Sequence, residues 1–215
     1  MQSVLLAPPT AAIRQPAASV IDGLRLSHGR DETIFDQDDP AEHVYQVISG
    51  CVRTCRLLRD GRRQIEAFHF AGETFGLEVG ETHRVSAQTL TPAVVRVMPR
   101  HALEDLSIER GDVARRLLAL ATDNLRRSQD HALMLGRRSA CERLAALLLD
   151  LAERTGAEAL LDVPMTRQDM ADYLGLTIET VSRTFTQFQH EGLIALPSLR
   201  KVLLRDRGAL EAMVG

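Results

Sequence analysis

Lysine is almost missing from this 215-residue chain: Lys201 is the only one among 26 basic side chains, and 29 acidic residues leave a formal net charge of −3. That balance excludes a protein that holds nucleic acid through a general positive surface, so any such contact must be made by a local patch. Cysteine is equally sparse. Cys51 and Cys55 fall in one extended segment, where four residues span about 13 Å, too far apart to share a metal, and Cys141 stands alone. The expectation is three unmodified thiols, no metal and no cofactor. Histidines at 28, 43, 69, 83, 101, 131 and 190 form no metal-spaced pair and flank no nucleophile motif, which argues against an enzyme. No apolar run approaches the ~20 residues that cross a bilayer. Val4-Leu5-Leu6-Ala7 is halted by Pro8-Pro9 without a preceding basic residue and fails as a signal peptide. A cytoplasmic protein without membrane contact is expected.

What is present divides by period. Residues 1–20, rich in Ala, Pro and Gln, read as a flexible lead-in. From 21 to 109 short β-type runs dominate: His43–Ile48 and Val52–Leu58 flank Ser49-Gly50, Asp60-Gly61 leads into Ile65–Phe70, and Val94–Met98 closes before Pro99. This spacing predicts a small antiparallel roll. Residues 110–136 read as one long helix. Leu118, Leu125 and Ala132 recur at seven-residue intervals, and Ala121, Ser128 and Leu135 do likewise, forming a heptad seam; Val113, Leu117 and Leu120 give it a second apolar side. A helix apolar on two sides between two domains predicts a homodimer.

The remainder, 137–215, carries the most specific pattern. Met170, Ala171 and Leu174 put an apolar stripe on a short helix from Arg167, Gly175 stops it, and Thr177 is placed to cap a second helix from Ile178. In that second helix Val181, Phe185 and Phe188 point inward. Glu179, Ser182 and Arg183 then share the opposite face. Two helices about a glycine turn, from Arg167 to Thr186, form a helix-turn-helix whose second member reads base edges of double-stranded DNA. Arg183 can donate two hydrogen bonds to a guanine, Glu179 can accept from a cytosine amine, and Ser182 can meet either a base edge or a thymine methyl. Thr166, Arg167 and Gln168 at the start of the first helix, with Thr177 and Thr180, are expected on the phosphate backbone. Two runs, Ile194–Leu196 and Lys201–Leu204, flank Pro197-Ser198-Leu199 as a hairpin wing whose Arg200 and Lys201 would also meet phosphates.

The segment TRQDMADYLGLTIETVSR, Thr166 to Arg183, resembles the DNA-binding region of the CRP/FNR family of bacterial transcription regulators. The E-x-x-S-R set is similar to its FNR-type branch, and GRRQIEAFHFAGE and SAQTL extend the likeness through the roll, with FixK-type regulators the nearest in pattern. The resemblance implies an α+β fold: an antiparallel β-roll of the cyclic-nucleotide-binding kind, a dimerisation helix and a C-terminal winged helix-turn-helix. It also implies a homodimeric activator on a TTGA-spacer-TCAA palindrome, controlling low-oxygen, respiratory or nitrogen-fixation-related genes. RNA polymerase would be met by the loop Gly76, Leu77, Glu78, Val79 and Gly80. Two family cofactors are not expected. The cluster cysteines are missing, and the adjacent Arg-Ser pair that holds a cyclic phosphate is here Arg84 and Ser86, split by Val85. The alternative reading within the same family is a regulator gated by another small molecule in the roll.

Overall fold

The computed structural model describes residues 23–137 and 139–215; the lead-in expected over 1–20 lies outside them. Eight strands build the roll as two four-stranded antiparallel sheets. β1 (Leu24–His28), β8 (Ala93–Pro99), β3 (His43–Ser49) and β6 (Thr74–Phe75) lie side by side in that order. The other sheet runs β2 (Thr33–Phe35), β7 (Ser86–Thr89), β4 (Cys51–Leu57) and β5 (Arg63–Phe70). Gly50 joins β3 to β4 at φ +89, a conformation that favours glycine, and a Cβ there would fall 2.5 Å from the Pro92 carbonyl oxygen. Between the sheets pack Phe35, Tyr45, Val47, Val52, Phe75, Val85, Ala87 and Val95. Phe35 stacks on buried His83 with ring centroids 3.7 Å apart, and Tyr45 on Phe75 at 5.3 Å. Aromatic side chains therefore occupy the middle of the roll.

α1 (Arg100–Glu109) leads into α2 (Gly111–Arg137), the long helix read from the heptads. Val113 is fully buried. Leu118, Ala121, Leu125, Ser128 and Ala132 face solvent, with Leu118 at 68% and Leu125 at 59% of full exposure. Leu135 departs from the expected seam. It joins the C-terminal core, its Cδ2 3.2 Å from where a Cβ on Gly175 would lie, and exposed Leu133 stands on the open side instead.

The C-terminal unit comprises α3 (Ala140–Thr155), β9 (Leu160–Asp162), α4 (Arg167–Leu174), α5 (Ile178–His190), β10 (Ile194–Ser198), β11 (Lys201–Leu204) and α6 (Arg207–Val214). Ser139 and Glu142 close a capping box on α3, whose Leu144, Leu147, Leu148 and Leu151 are buried. The expected two-stranded wing is a three-stranded sheet, β10-β11-β9, because Leu160–Asp162 pairs with Lys201–Leu203. A three-residue strand gives too short an alternation to read from sequence.

The core does not stop at the domain boundary. Cys51, Cys55, Ile65 and Phe68 on the outer face of the β4–β5 hairpin belong to the same buried cluster as α3, α4 and α5. Burial pushes the Cys51 thiol up to about 12 and raises Cys55, so both are protonated, small apolar fillers rather than reactive thiolates.

Burial also keeps three histidines neutral. His69, its Nε2 3.1 Å from Thr54 Oγ1, is lowered from 6.5 to about 4, and His83 and His131 are lowered as well. Such groups take up a proton on unfolding. Their contribution is complete above about pH 6.5 and is lost as the pH falls toward 4. The melting temperature should therefore drop between pH 7.5 and pH 5, and His69→Gln should reduce that drop; a curve flat over this range would contradict the assignment.

Candidate nucleic-acid interface

The two helices form where local chemistry starts and stops them. Thr166 caps α4: its Oγ1 accepts from Asp169 N at 3.1 Å, while Asp169 Oδ2 accepts from Thr166 N at 2.9 Å, a reciprocal box. Gly175 ends the helix at φ 62, where the Leu135 side chain and the Arg143 guanidinium leave little room for a Cβ. Arg143 Nη1 donates 2.8 Å to the Leu174 carbonyl, and its Nη2 donates 2.8 Å to that of Leu135, so α3 ties together the ends of α4 and α2. Thr177 Oγ1 then accepts from Thr180 N at 3.2 Å and begins α5.

α5 presents two unlike faces. Val181, Thr184, Phe185 and Phe188 are buried, each phenylalanine contributing roughly 1.5–3 kcal/mol by leaving water. Glu179, Ser182, Arg183 and Thr186 are exposed. The three residues expected to read bases thus stand together on the open side of the helix. Arg183 Nη2 donates a 3.4 Å hydrogen bond to Thr180 Oγ1, and its remaining donors face outward from the described residues. Its own backbone amide at the helix N-terminus, then the Thr177 hydroxyl and the Arg183 charge, hold the Glu179 carboxyl below its usual range. Glu179 is an acceptor at neutral pH.

The expected phosphate contacts divide into free and engaged side chains. Arg200 is exposed at the turn between β10 and β11, with one 3.5 Å hydrogen bond to the Pro164 carbonyl. Lys201 Nζ sits 2.8 Å from Asp162 Oδ1, an exposed pair that solvent screens and that costs little to open. Arg167 is the departure. Its guanidinium lies 3.2 Å over the Phe185 ring and is half-buried, and burial lowers its pKa to about 10. It remains charged at pH 7, but its first role is a cation–π strut between α4 and α5. Thr166 and Gln168 are exposed and carry hydrogen bonds to Asp169 and Asp172.

Sequence reasoning missed the residue beneath this edge. Asp169, 1% exposed, receives Arg53 Nη1 of β4 and Arg63 Nη2 of β5, each at 2.7 Å. Arg63 Nε also donates 2.8 Å to Asp172. A second tie joins Glu73 to Arg154 of α3 and Arg127 of α2 at 2.7 and 3.4 Å. The capping-box spacing from Thr166 was the signal available for Asp169.

In the roll, Val79 is fully exposed in the loop 76–80 and Gly80 is open. Leu77 packs against Val44, Met98 and Leu103. Glu78, in the loop expected to meet RNA polymerase, has a side chain that is 5% exposed and accepts from Arg84 Nε at 3.0 Å. The same pair settles the phosphate question for Arg84, which points outward at 74% exposure while Val85 points in. Ser86 Oγ accepts from Gln37 N. These residues do not fit a cyclic nucleotide. A cavity of about 110 Å³ between the roll and α1, lined by Val44, Leu77, Glu78, Arg100, Leu103, Glu104 and Leu117, is well below the ~300 Å³ of small-molecule sites. Among the described residues no three His, Cys, Asp or Glu side chains are grouped to hold a metal, and no helix is long and apolar enough to cross a membrane.

An eight-stranded roll, a long helix with an open leucine stripe and a winged two-helix reader define a DNA-binding regulator of the winged helix-turn-helix class. Residues 142–213 match the Crp-like helix-turn-helix domain and residues 25–110 the cyclic nucleotide-binding domain. The chain is 48% identical over 189 residues to the nitrogen fixation regulation protein FixK of Azorhizobium caulinodans, covering 86% of this chain and 76% of that protein. With FixK of Rhizobium meliloti it shares 44% identity, over 84% of this chain and 82% of the relative. The structure of FixK2 from Bradyrhizobium japonicum superposes with a TM-score of 0.87 at 42% identity, covering 91% of this chain and 98% of that one. The chain belongs to the CRP/FNR family of transcription regulators, with FixK-type proteins among its relatives.

Proposed function

We propose that this regulator acts as a homodimer on a TTGA-spacer-TCAA palindrome and activates genes of low-oxygen, respiratory or nitrogen-fixation metabolism. The observation that carries the reading is the exposed face of α5, where Glu179, Ser182 and Arg183 stand together, open to solvent among the described residues. In each half-site Arg183 takes the guanine, Glu179 the cytosine amine and Ser182 a neighbouring edge. Thr166, Gln168, Thr177, Thr180, Arg200 and Lys201, with Arg167 through its outer donors, fix the register on phosphates. The physiological assignment rests on the FixK relatives, which are named for nitrogen fixation regulation.

The homodimer is supported by α2. Exposed leucines 118, 125 and 133 on one long helix are costly in water, and a second copy of the same helix covers them symmetrically. Leu125→Asp should convert a dimer into a monomer in sedimentation and weaken operator binding at least about tenfold, since each half-site then binds alone. A wild-type protein that sediments as a monomer at micromolar concentration would overturn this part.

RNA polymerase is the second partner, met by the loop 76–80. Of its side chains, Val79 is the one fully open, whereas Glu78 is tied to Arg84. Val79→Asp should leave operator affinity unchanged and lower activated transcription in a reconstituted assay; equal activation would remove the loop from the account.

A further inference from the structure

The roll reaches into the reader through a continuous set of hydrogen bonds. Gln88 Nε2 donates to Thr33 Oγ1 at 3.3 Å, Arg53 Nη2 donates to Gln88 Oε1 at 2.9 Å, and Arg53 Nη1 donates to Asp169 Oδ1 at 2.7 Å. Arg63 adds Nη2 to the same Asp169 oxygen and Nε to Asp172 Oδ2. The other oxygen of each carboxylate faces the opposite way. Asp169 Oδ2 accepts from Thr166 N and Oγ1 at 2.9 and 2.7 Å, and Asp172 Oδ1 accepts from Gln168 Nε2 at 2.6 Å. Each carboxylate therefore has one oxygen on a roll arginine and one on a residue at the exposed start of α4. The far end of α4 is fixed as well: Tyr173 packs on Phe68 of β5 at 5.1 Å and stacks on His131 of α2 at 4.1 Å, with rings 5° from parallel.

We propose that Arg53 and Arg63 are positioning residues for DNA recognition. Through Asp169 and Asp172 they fix the angle of the helix-turn-helix against α2, and so set the distance between the two recognition helices of a dimer. The inference rests on the dimeric reading above. Charge-assisted hydrogen bonds of about 2.7 Å to a carboxylate shielded from water are strong and directional, which suits a fixed angle better than an apolar contact that can slide. The roll then has a role in operator choice without holding a ligand: it sets spacing, while α5 sets bases.

The test is a mobility-shift series on duplexes whose two half-sites are separated by spacers lengthened one base pair at a time, with sedimentation run in parallel. The full-length protein should peak at one spacing. The double variant Arg53→Gln, Arg63→Gln should remain dimeric and keep its preference at the half-site guanine, but lose roughly tenfold at the peak, within the usual range of coupling between sites, and bind neighbouring spacers almost equally. Asp172→Asn, which leaves the buried Asp169 pairs whole, should flatten the profile in part and decides the matter should the double variant not fold. A wild-type spacing profile in a folded double variant, or in Asp172→Asn where that variant must decide, would overturn the positioning role. A wild-type protein with no preferred spacing would instead overturn the dimeric reading on which it rests.

Discussion

Asp169→Ala is expected to destabilise the fold by about 3 kcal/mol and, with one core shared by roll and C-terminal helices, to lower the melting temperature of the chain by roughly 6–12 °C. Two losses combine. Arg53 and Arg63 lose the carboxylate at 2.7 Å that compensates their partial burial, with side chains 11% and 28% exposed, and Thr166 N loses its acceptor at the start of α4. Removing one partner of a buried pair costs about 3–5 kcal/mol, and the remaining exposure of the two arginines places the effect at the lower end. Asp169→Asn separates the contributions. The amide oxygen can keep the cap, about 1 kcal/mol, but the amide NH2 then meets the donors of Arg53 and Arg63, so asparagine should recover at most the cap relative to alanine, and the rest of the loss reports the ion pairs. Thermal unfolding of the chain measures both; a shift below about 2 °C for alanine would mean that the arginines find water at no cost.

Arg183→Ala is expected to have the largest effect on recognition. A bidentate arginine–guanine contact discriminates by about 1–3 kcal/mol, and a dimer makes it twice, so affinity for the palindrome should fall at least roughly 30-fold. The loss must be sequence-dependent. On a duplex whose half-site guanines are replaced, wild type and variant should bind nearly alike, because the phosphate contacts proposed for Thr166, Gln168 and Arg200 do not involve Arg183. Fold stability should change little, since Arg183 is exposed and its contacts to Thr180 and Glu179 are surface ones. Competition binding on the two duplexes gives the answer, and an equal loss on both would reduce Arg183 to a backbone contact.

The parts legible in sequence were those specified by neighbours a few residues away. The limits of α4 and the start of α5 follow from Thr166, Gly175 and Thr177, whose caps and left-handed turn act within four residues. The inward set Val181, Phe185 and Phe188 follows from helical period alone. The four longer strands of the roll match the expected ranges within a few residues because turn signals at Ser49-Gly50 and Asp60-Gly61 bound three of them and Pro99 marks the end of the fourth. The rest depended on tertiary partners. Arg53 and Arg63 meet Asp169 across 116 and 106 residues, a separation with no local signature. Leu135 satisfies the heptad yet turns to Gly175, because α2 passes the helix-turn-helix there and a core offers it more contact than the open stripe does. Arg167 carries the charge of a phosphate contact, but Phe185 stands one cation–π distance away. Glu78, in the loop expected to meet RNA polymerase, has its side chain buried, paired with Arg84 and 3.9 Å from His83, none of which is signalled locally.

These departures share a physical theme. Arginine, the nearly exclusive cation of this chain, also works between its elements: Arg53, Arg63, Arg143, Arg154 and Arg167 all brace one element against another. Its planar fork and permanent charge suit it to such half-buried bridging, where lysine would lose its charge more readily. The net charge of −3 is then no obstacle to the proposed DNA contact, because Arg183 and Arg200 remain exposed on the proposed reading edge.

The central claim is that α5 reads a palindrome without a ligand in the roll. Selection of double-stranded DNA from a random pool by the purified full-length protein, with no small molecule added, tests it directly. Enrichment of TTGA and TCAA in inverted repeat at one fixed spacing is the predicted result; enrichment of an unrelated or non-repeated sequence, or none until a ligand is supplied, would contradict it.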